Sequence, residues 1–170
     1  MNLYDATVPI FTRHLKAIDS WIEKAVAYAD QKKFDPEILM QARLAPDQYP
    51  FVRQVQSACD AAKWACAKLA GKEGPSHPDT EKTLAEVRAR LKTCVDYLAT
   101  FKKDDFTGAE DRLVRHAYFP EGKHMRGGDY LDHVALANFH FHCTTAYSIL
   151  RHNGVALGKQ DYITTMPLVS

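Results

Sequence analysis

Residues 129–154 read DYLDHVALANFHFHCTTAYSILRHNG, and this stretch decides the fold class. Apolar side chains return along it every three or four residues, which is the spacing of a helix with a buried face. Asp129 is a good N-cap residue, and Asn153 followed by Gly154 is typical of a left-handed helix end. The stretch therefore predicts a helix of about seven turns near the end of the chain.

The same period recurs in two long stretches upstream. The first helix is predicted to begin near residues 5–7, which places Pro9 in the first turn, where a missing N–H does least harm. The second helix is predicted to run from residue 47 or 50 to residue 70. Between them, residues 32–50 form a proline-rich connection with room for one turn of helix after Asp35 and Pro36.

A third helix is predicted to start with Asp79 or Thr80 as its cap and to extend to about residue 101. Residues 103–128 lose the helical period and predict a short strand pair or an ordered loop. Residues 155–170 are predicted to lie over the surface. Four amphipathic helices bury their apolar faces most simply in an antiparallel bundle. We therefore predict an all-α four-helix bundle, with an irregular or hairpin insertion before the last helix, as one domain over residues 1–170.

The composition is that of an ordinary globular protein, with 46% hydrophobic and 25% charged residues. The 22 basic and 21 acidic residues leave a formal net charge of +1, which argues against a nucleic-acid partner. No stretch approaches the roughly 20 apolar residues that a membrane span needs, and the first residues do not resemble a signal peptide. The four cysteines form no disulfide framework, so we expect a cytoplasmic protein.

An advance of about 100° per residue divides the last helix into three strips. The inward strip holds Asn138 and His142, which are four residues apart and therefore side by side. Polar groups in such a strip either form a hydrogen-bonded network in the core, here with Thr145, or belong to a metal or ligand site.

The other two strips predict contacts and exposure. A second apolar strip, which includes Tyr147 and Leu150, needs a cover. That cover is either the insertion at residues 103–128 or another copy of the chain, so the pattern favours a homodimer through the last helix. The third strip is polar, and we expect its His133 and His140 to be solvated.

Several short motifs, spread over nearly the whole chain, are similar as a group to those of one known family. They are Tyr4-Asp5-Ala6-Thr7-Val8-Pro9, Arg43-Leu44-Ala45-Pro46-Asp47, Arg53-Gln54-Val55-Gln56, Ala58-Cys59-Asp60, Thr144-Thr145-Ala146-Tyr147 and Leu150-Arg151-His152-Asn153-Gly154. The family they resemble is DUF1993, a bacterial family of unknown function within the DinB/YfiT-like superfamily of four-helix bundles. The resemblance implies the same fold.

Members of this superfamily that bind a metal supply one histidine from the second helix and a His-x-x-x-His pair from the last. The resemblance aligns His142 with the second histidine of that pair, because the motif Leu-Arg-His-Asn-Gly follows it at the expected distance. Asn138 then replaces the first histidine, and the second helix offers only Cys59 as a conditional ligand. A zinc or nickel site needs three good ligands. The resemblance therefore implies a possible divalent-metal site at His142, Asn138 and Cys59 that is incomplete.

The segment around the start of the second helix is unusually polar. Its side chains either cap and anchor the connection or form the rim of a pocket that reaches His142. The residues expected at such a rim are Asp47, Gln48, Gln56 and Thr145.

The sequence contains no Ser–His–Asp order, no Gly-rich phosphate loop and no HExxH helix. We expect a non-catalytic binding or stress-associated accessory protein with a reduced metal site and a small-molecule ligand. The alternative implied by the resemblance is a metal-dependent enzyme of the thiol-transferase or isomerase type, with His142 as its anchor.

Overall fold

The computed structural model describes residues 2–166 and 168–169. Its long helices are α1 (Val8–Lys32), α2 (Phe51–Ala70), α3 (Leu84–Leu98) and a last long helix made of α4 (Gly127–Tyr130), a π-helical turn (Leu131–Ala135) and α5 (Leu136–His152). The shorter elements are two 3-10 helices (Pro36–Gln41 and Lys103–Phe106), strands β1 (Leu113–Val114) and β2 (Met125–Arg126), and α6 (Lys159–Ile163). The predicted all-α bundle with a hairpin insertion is confirmed. No helix within the described ranges is long and apolar enough to cross a membrane.

In the first half of the bundle, the helices begin and end at the proline, capping and glycine residues that the sequence predicts. Pro9 lies in the first turn of α1. The short helix in the connection begins after Asp35, whose side chain accepts a hydrogen bond from the backbone N–H of Glu37. Helix α2 ends at Gly71, which adopts a left-handed φ of 66°. Each of these devices depends on nearby residues alone, so the sequence predicts them well.

Helix α2 is the central helix of the bundle. It packs against α1, α3 and α5, and 14 of its 20 residues are buried. A helix with neighbours on three sides exposes a narrower polar face to solvent than a helix at the surface of a protein does. Polar residues of α2 are therefore brought into the interior, and Gln54 and Lys63 are each only 1% exposed.

Helix α3 starts later than predicted, and the expected cap at Asp79 or Thr80 was wrong. Thr83 is the N-cap residue, and its hydroxyl accepts from the N–H of Glu86 while the Glu86 carboxylate accepts from the N–H of Thr83. Asp79 pairs with Arg53 of α2 instead. A complete capping box satisfies two backbone donors at once, which a single capping side chain does not.

The last long helix begins at Gly127, so the prediction of Asp129 as N-cap was also wrong. The insertion approaches this start closely, because the N–H of Gly128 donates to the carbonyl oxygen of Glu110 at 3.0 Å. A Cβ atom at Gly127 would collide with the carbonyl oxygen of Ala109. Only glycine allows the insertion and the helix to meet at this distance.

The π-helical turn changes the register of the last long helix. Its wider turn rotates the residues that follow relative to those that precede, so a projection at one fixed angle fails across it. Asn138 and His142 both follow this turn, so it rotates them together. Asn138, predicted to lie on the inward strip, is exposed, whereas His142 is half-buried.

The second apolar strip of this helix is covered by the chain itself. The ring of Phe139 lies 4.5 Å from that of Phe11 on α1, and the ring of Tyr147 lies 5.6 Å from Trp21 and 5.9 Å from Tyr162. The strip therefore needs no second copy to bury it. The homodimer stays a prediction, and the second apolar strip no longer supports it.

The segment after the last long helix is anchored to α1, and the prediction of a tail over the surface was wrong for this part. Val155 and Leu157 are 0% and 3% exposed. The indole N–H of Trp21 donates to the carbonyl oxygen of Asp161 at 3.0 Å, and Lys24 pairs with the Asp161 carboxylate at 2.6 Å. The apolar anchors and the ion pair hold α6 against the bundle.

Candidate functional site

A cavity of about 210 Å³ lies between α2, the insertion and the last long helix. Its walls mix apolar side chains with groups that form hydrogen bonds. The lining residues are Ser57, Asp60, Ala61 and Trp64 of α2, His116 of the insertion, and Tyr130, Val134, Ala135, Asn138 and His142 of the last long helix. The π-helical turn forms part of this wall, and such turns occur frequently at functional sites.

His142 is oriented by Gln54. The Nδ1–H group of His142 donates to Gln54 Oε1 at 2.8 Å, and Gln54 Nε2 donates in turn to the carbonyl oxygen of Tyr49 at 3.1 Å. Because the amide is held at both ends, its oxygen faces the imidazole, and the tautomer of His142 is defined. The second ring nitrogen, Nε2, carries the lone pair and has no hydrogen-bond partner in the described part of the chain.

The surroundings of His142 favour a neutral ring. Burial lowers its pKa, and the nearby charge of Arg53 lowers it further. The imidazole is therefore neutral at neutral pH and offers Nε2 as a hydrogen-bond acceptor or a base.

Tyr130 provides a hydroxyl group on the same cavity. It is 2% exposed, and its oxygen has no hydrogen-bond partner among the residues that the structure describes. Burial raises the pKa of this hydroxyl, so it remains protonated. A hydroxyl that borders the cavity can bond a polar ligand atom or water.

Asp60 joins the cavity to a buried ion cluster. Its Oδ1 accepts from Lys63 Nζ at 2.7 Å and from Arg90 Nη2 at 2.8 Å. Lys63 also donates to Nδ1 of His77 at 3.2 Å. Since Lys63 and Arg90 are almost fully buried, their charges depend on this carboxylate, and Asp60 is held firmly at the cavity wall.

The ion cluster continues away from the cavity through residues of the α2–α3 connection. Arg90 lies 3.6 Å from Glu81, and Glu81 accepts from Gln56 Nε2 at 2.7 Å. Arg53 bonds Asp79 and donates to Gln56 Oε1 at 3.3 Å. Gln56, predicted at the pocket rim, is thus a buried member of this cluster.

His116 reaches the cavity from the insertion. Its ring lies 4.0 Å from that of Tyr118, and its buried Nδ1 has no partner in the described ranges. Burial and the charge of Lys68 lower its pKa, so His116 is also neutral at neutral pH.

The remaining predicted site residues are not brought together around His142. Asn138 lines the cavity but is exposed, and Thr145 donates to the carbonyl oxygen of Phe141 at 2.8 Å. The expected network of Asn138, His142 and Thr145 was wrong, because Gln54 is the partner of His142. The two rim residues that precede α2 differ from each other: Asp47 is exposed, while Oε1 of Gln48 is buried without a partner among the described residues.

Cys59 lies in the core between α2 and α3 and does not line the cavity. The thiol of Cys94 donates to the carbonyl oxygen of Cys59 at 3.3 Å. Contact with Cys94 and complete burial raise the pKa of the Cys59 thiol well above its usual range. A thiol that does not ionise is a poor metal ligand.

The residues present do not fit a divalent-metal site. His116, His142 and Asp60 line one cavity, yet no three His, Cys, Asp or Glu side chains in residues 2–166 and 168–169 are grouped so that they could hold a metal ion. Asp60 is bound by two buried cations, which compete with a metal ion for its carboxylate. The donor set is short of the three ligands that zinc requires.

Sequence reasoning missed the partner of His142, which is Gln54, and the cavity residues Tyr130 and His116. Gln54 was assigned to the polar connection, although it follows Phe51 by one helical turn and so shares its face. Tyr130 precedes the π-helical turn, and no sequence pattern identified that turn. His116 lies in the insertion. The glycine pair at residues 127–128 was the only sequence feature that indicated a close contact between the insertion and the last long helix.

Comparison with solved structures defines the class of protein. The chain is 43% identical to a DinB family member protein from Shewanella denitrificans, whose crystal structure was determined at 1.83 Å resolution. The match covers 99% of this chain and 95% of that chain, with a TM-score of 0.95. The fold is therefore DinB-like.

Residues 3–163 match the family described as "Domain of unknown function (DUF1993)", and the chain belongs to this family. No curated protein matches the chain.

Proposed function

We propose that this protein binds a small organic molecule in the cavity beside His142, as a non-catalytic binding or stress-associated accessory protein. The observation that carries the proposal is a pair of polar groups on one cavity, Nε2 of His142 and the hydroxyl of Tyr130, that have no partner among the described residues. A cavity in which polar groups converge beside apolar side chains can orient a small molecule. The four cysteines are free and buried, which supports the predicted cytoplasmic location.

The alternative is a metal-dependent thiol transferase or isomerase anchored by His142. Such an enzyme needs a complete metal site. The donor set around the cavity gives this alternative little support, because Cys59 is sequestered and Asn138 is a poor ligand for a transition metal.

A thermal-shift screen of small water-soluble metabolites tests the proposal. At least one compound is expected to raise the Tm of the wild type, since a ligand that binds only the folded state stabilises it. The shift should disappear in His142→Ala and Tyr130→Phe. It should persist in His152→Ala, which removes an exposed histidine from the end of the same helix. Equal shifts in all four proteins, or no shift with any compound, would contradict binding at this cavity.

Elemental analysis separates the proposal from its alternative. The protein is purified without a histidine tag, and metal is measured in the wild type and in His142→Ala. We expect far less than one metal per chain in both. A stoichiometric metal in the wild type that is lost in His142→Ala would support the enzyme and reject the metal-free site.

A further inference from the structure

Two hydrogen-bond acceptors on residues that line the cavity have no partner in the described part of the chain. The first is Nε2 of His142, whose acceptor role is set by the bond from Nδ1 to Gln54. The second is Oδ2 of Asp60. Both cations that touch this carboxylate, Lys63 and Arg90, bind Oδ1, and Oδ2 has no partner in the described part of the chain. The phenolic oxygen of Tyr130 can accept a third hydrogen bond.

The ion cluster beside the cavity is balanced in charge. The cations Arg53, Lys63 and Arg90 are joined through contacts of at most 3.6 Å to the anions Asp60, Asp79 and Glu81. The cluster therefore has no surplus positive charge that would attract an anionic ligand. Its effect on the cavity is to keep one ionised carboxylate in place, because that carboxylate is the partner of two buried cations.

Another part of the wall is apolar or aromatic, and Ser57, His116 and Asn138 add further polar groups. Ala61, Val134 and Ala135 line the cavity beside the ring of Trp64. The ammonium of Lys63 already lies 4.9 Å from the centre of that ring. The face of an aromatic ring can contact a cation, and the apolar residues suit a short carbon chain.

We propose that the ligand is a small organic amine, whose ammonium group donates to Nε2 of His142 and to Oδ2 of Asp60. This inference rests on the proposed function, because it names the chemical class of the molecule bound in the same cavity. An ammonium group carries three donors and no acceptor, which matches a wall that presents acceptors. A carboxylate of the same size would face Asp60 and the lone pair of His142, and both would repel it.

The test compares three probes that share one carbon chain and differ only in the head group: n-butylamine, n-butanol and n-butyrate. Each is titrated into the full chain at neutral pH, and the ring nitrogens of His142 are followed by NMR. Butylamine should shift the His142 signals at about a tenfold lower concentration than butanol, because a hydrogen bond to an ionised group is roughly twice as strong. Butyrate should leave them unchanged.

Two variants test whether Asp60 causes the preference for butylamine over butanol. Asp60→Asn should remove the advantage of butylamine over butanol. Asp96→Asn should retain it, because Asp96 is an exposed carboxylate on α3 that pairs with Lys92. If Asp60→Asn does not fold, the three probes on the wild type still decide the question.

The possible outcomes separate the two proposals. Tighter binding of butanol or butyrate at His142 would overturn the amine inference and leave the binding function intact. No response to any of the three probes would also overturn the amine inference, and the metabolite screen then decides the binding function independently.

Discussion

Two histidines of the last long helix, His140 and His142, lie two residues apart in opposite surroundings. His140 lies against α1 and α6, with its ring 4.9 Å from that of His14 and its Nδ1 3.4 Å from the Tyr162 hydroxyl. His142 lies against α2, bonds Gln54, and lines an open cavity. We call the first side the sealed face (Phe139, His140 and Tyr147) and the second the cavity face (Tyr130, Asn138 and His142).

The difference between the faces lies in what covers them. Rings from α1 and α6 fill the sealed face, with the centres of Tyr162 and Trp21 5.8 Å apart and those of Tyr162 and His14 5.2 Å apart. On the cavity face, Tyr130 and His142 keep polar atoms without partners in the described part of the chain. The neighbours of a histidine on a bundle helix thus determine whether it is structural or available for binding. Its position along its own helix does not determine this.

The largest expected effect comes from two phenylalanines on this helix. Phe139 is 0% exposed on the sealed face, so Phe139→Ala should lower the free energy of unfolding by about 3–5 kcal/mol. Phe141 is 56% exposed, and Phe141→Ala should change it by less than about 0.5 kcal/mol. Urea unfolding of both variants measures the difference. Similar losses would show that the sealed face is not packed more tightly than the solvent side.

Removal of the ring that closes the sealed face should have the next largest effect. Tyr162→Ala should cost about 2 kcal/mol, because a half-buried ring loses contacts with Trp21, Tyr147 and His14. Tryptophan fluorescence should shift to the red as Trp21 meets water. Ile163→Ala, at a neighbouring exposed position of α6, serves as the control. An unshifted emission in Tyr162→Ala would argue against the docking of α6.

A smaller loss is expected on the cavity face. His142→Ala removes the donor to Gln54 and should cost about 1 kcal/mol, since water in the cavity can replace part of the bond. Asn138→Ala, at an exposed position one turn away, should be close to neutral. Thermal unfolding of both proteins provides the measurement. A loss above about 3 kcal/mol for His142→Ala would mean that this face is as dependent on packing as the sealed one.

The smallest expected change concerns the pH dependence of stability. Burial lowers the pKa of His140 in the folded protein, and the neighbouring His14 and Arg13 lower it further. Below the ordinary value of 6.5 the unfolded chain therefore binds more protons than the folded one, so stability falls as the pH is lowered from about 7.5 to about 5.5.

Replacing His140 should make this fall shallower. We expect a smaller drop in Tm between the two pH values for His140→Gln than for the wild type. His152→Ala, which removes an exposed histidine, should keep the wild-type drop. A steeper fall in His140→Gln would contradict the neutral state of His140 in the sealed face.

Local devices explain which features of the fold were predictable from the sequence. The first turn of α1 with Pro9, the short helix after Asp35 and the end of α2 at Gly71 each depend on a few adjacent residues. The insertion was predicted because the helical period stops. The start of α3 was predicted wrongly because both Asp79 and Thr83 are good N-cap residues. Asp79 forms an ion pair with Arg53 of α2 instead.

The candidate site was predictable only in its position. The resemblance and the helical period both identified His142, which lines the cavity. They did not identify Gln54. The helical period predicts one buried face for α2, whereas its central position also buries polar residues beside that face. Nor did they identify the sealing of the second apolar strip by α6, which removed the argument for a dimer.

The sequence by itself determined the four-helix bundle, the hairpin insertion and the region of His142, because apolar period, prolines, glycines and caps act over short distances along the chain. Only the tertiary structure decided which polar groups meet. Gln54 and His142 are 88 residues apart in the chain, and Trp21 and Asp161 are 140 apart. Such pairs depend on helix packing and on the register change at the π-helical turn, and no local pattern encodes either.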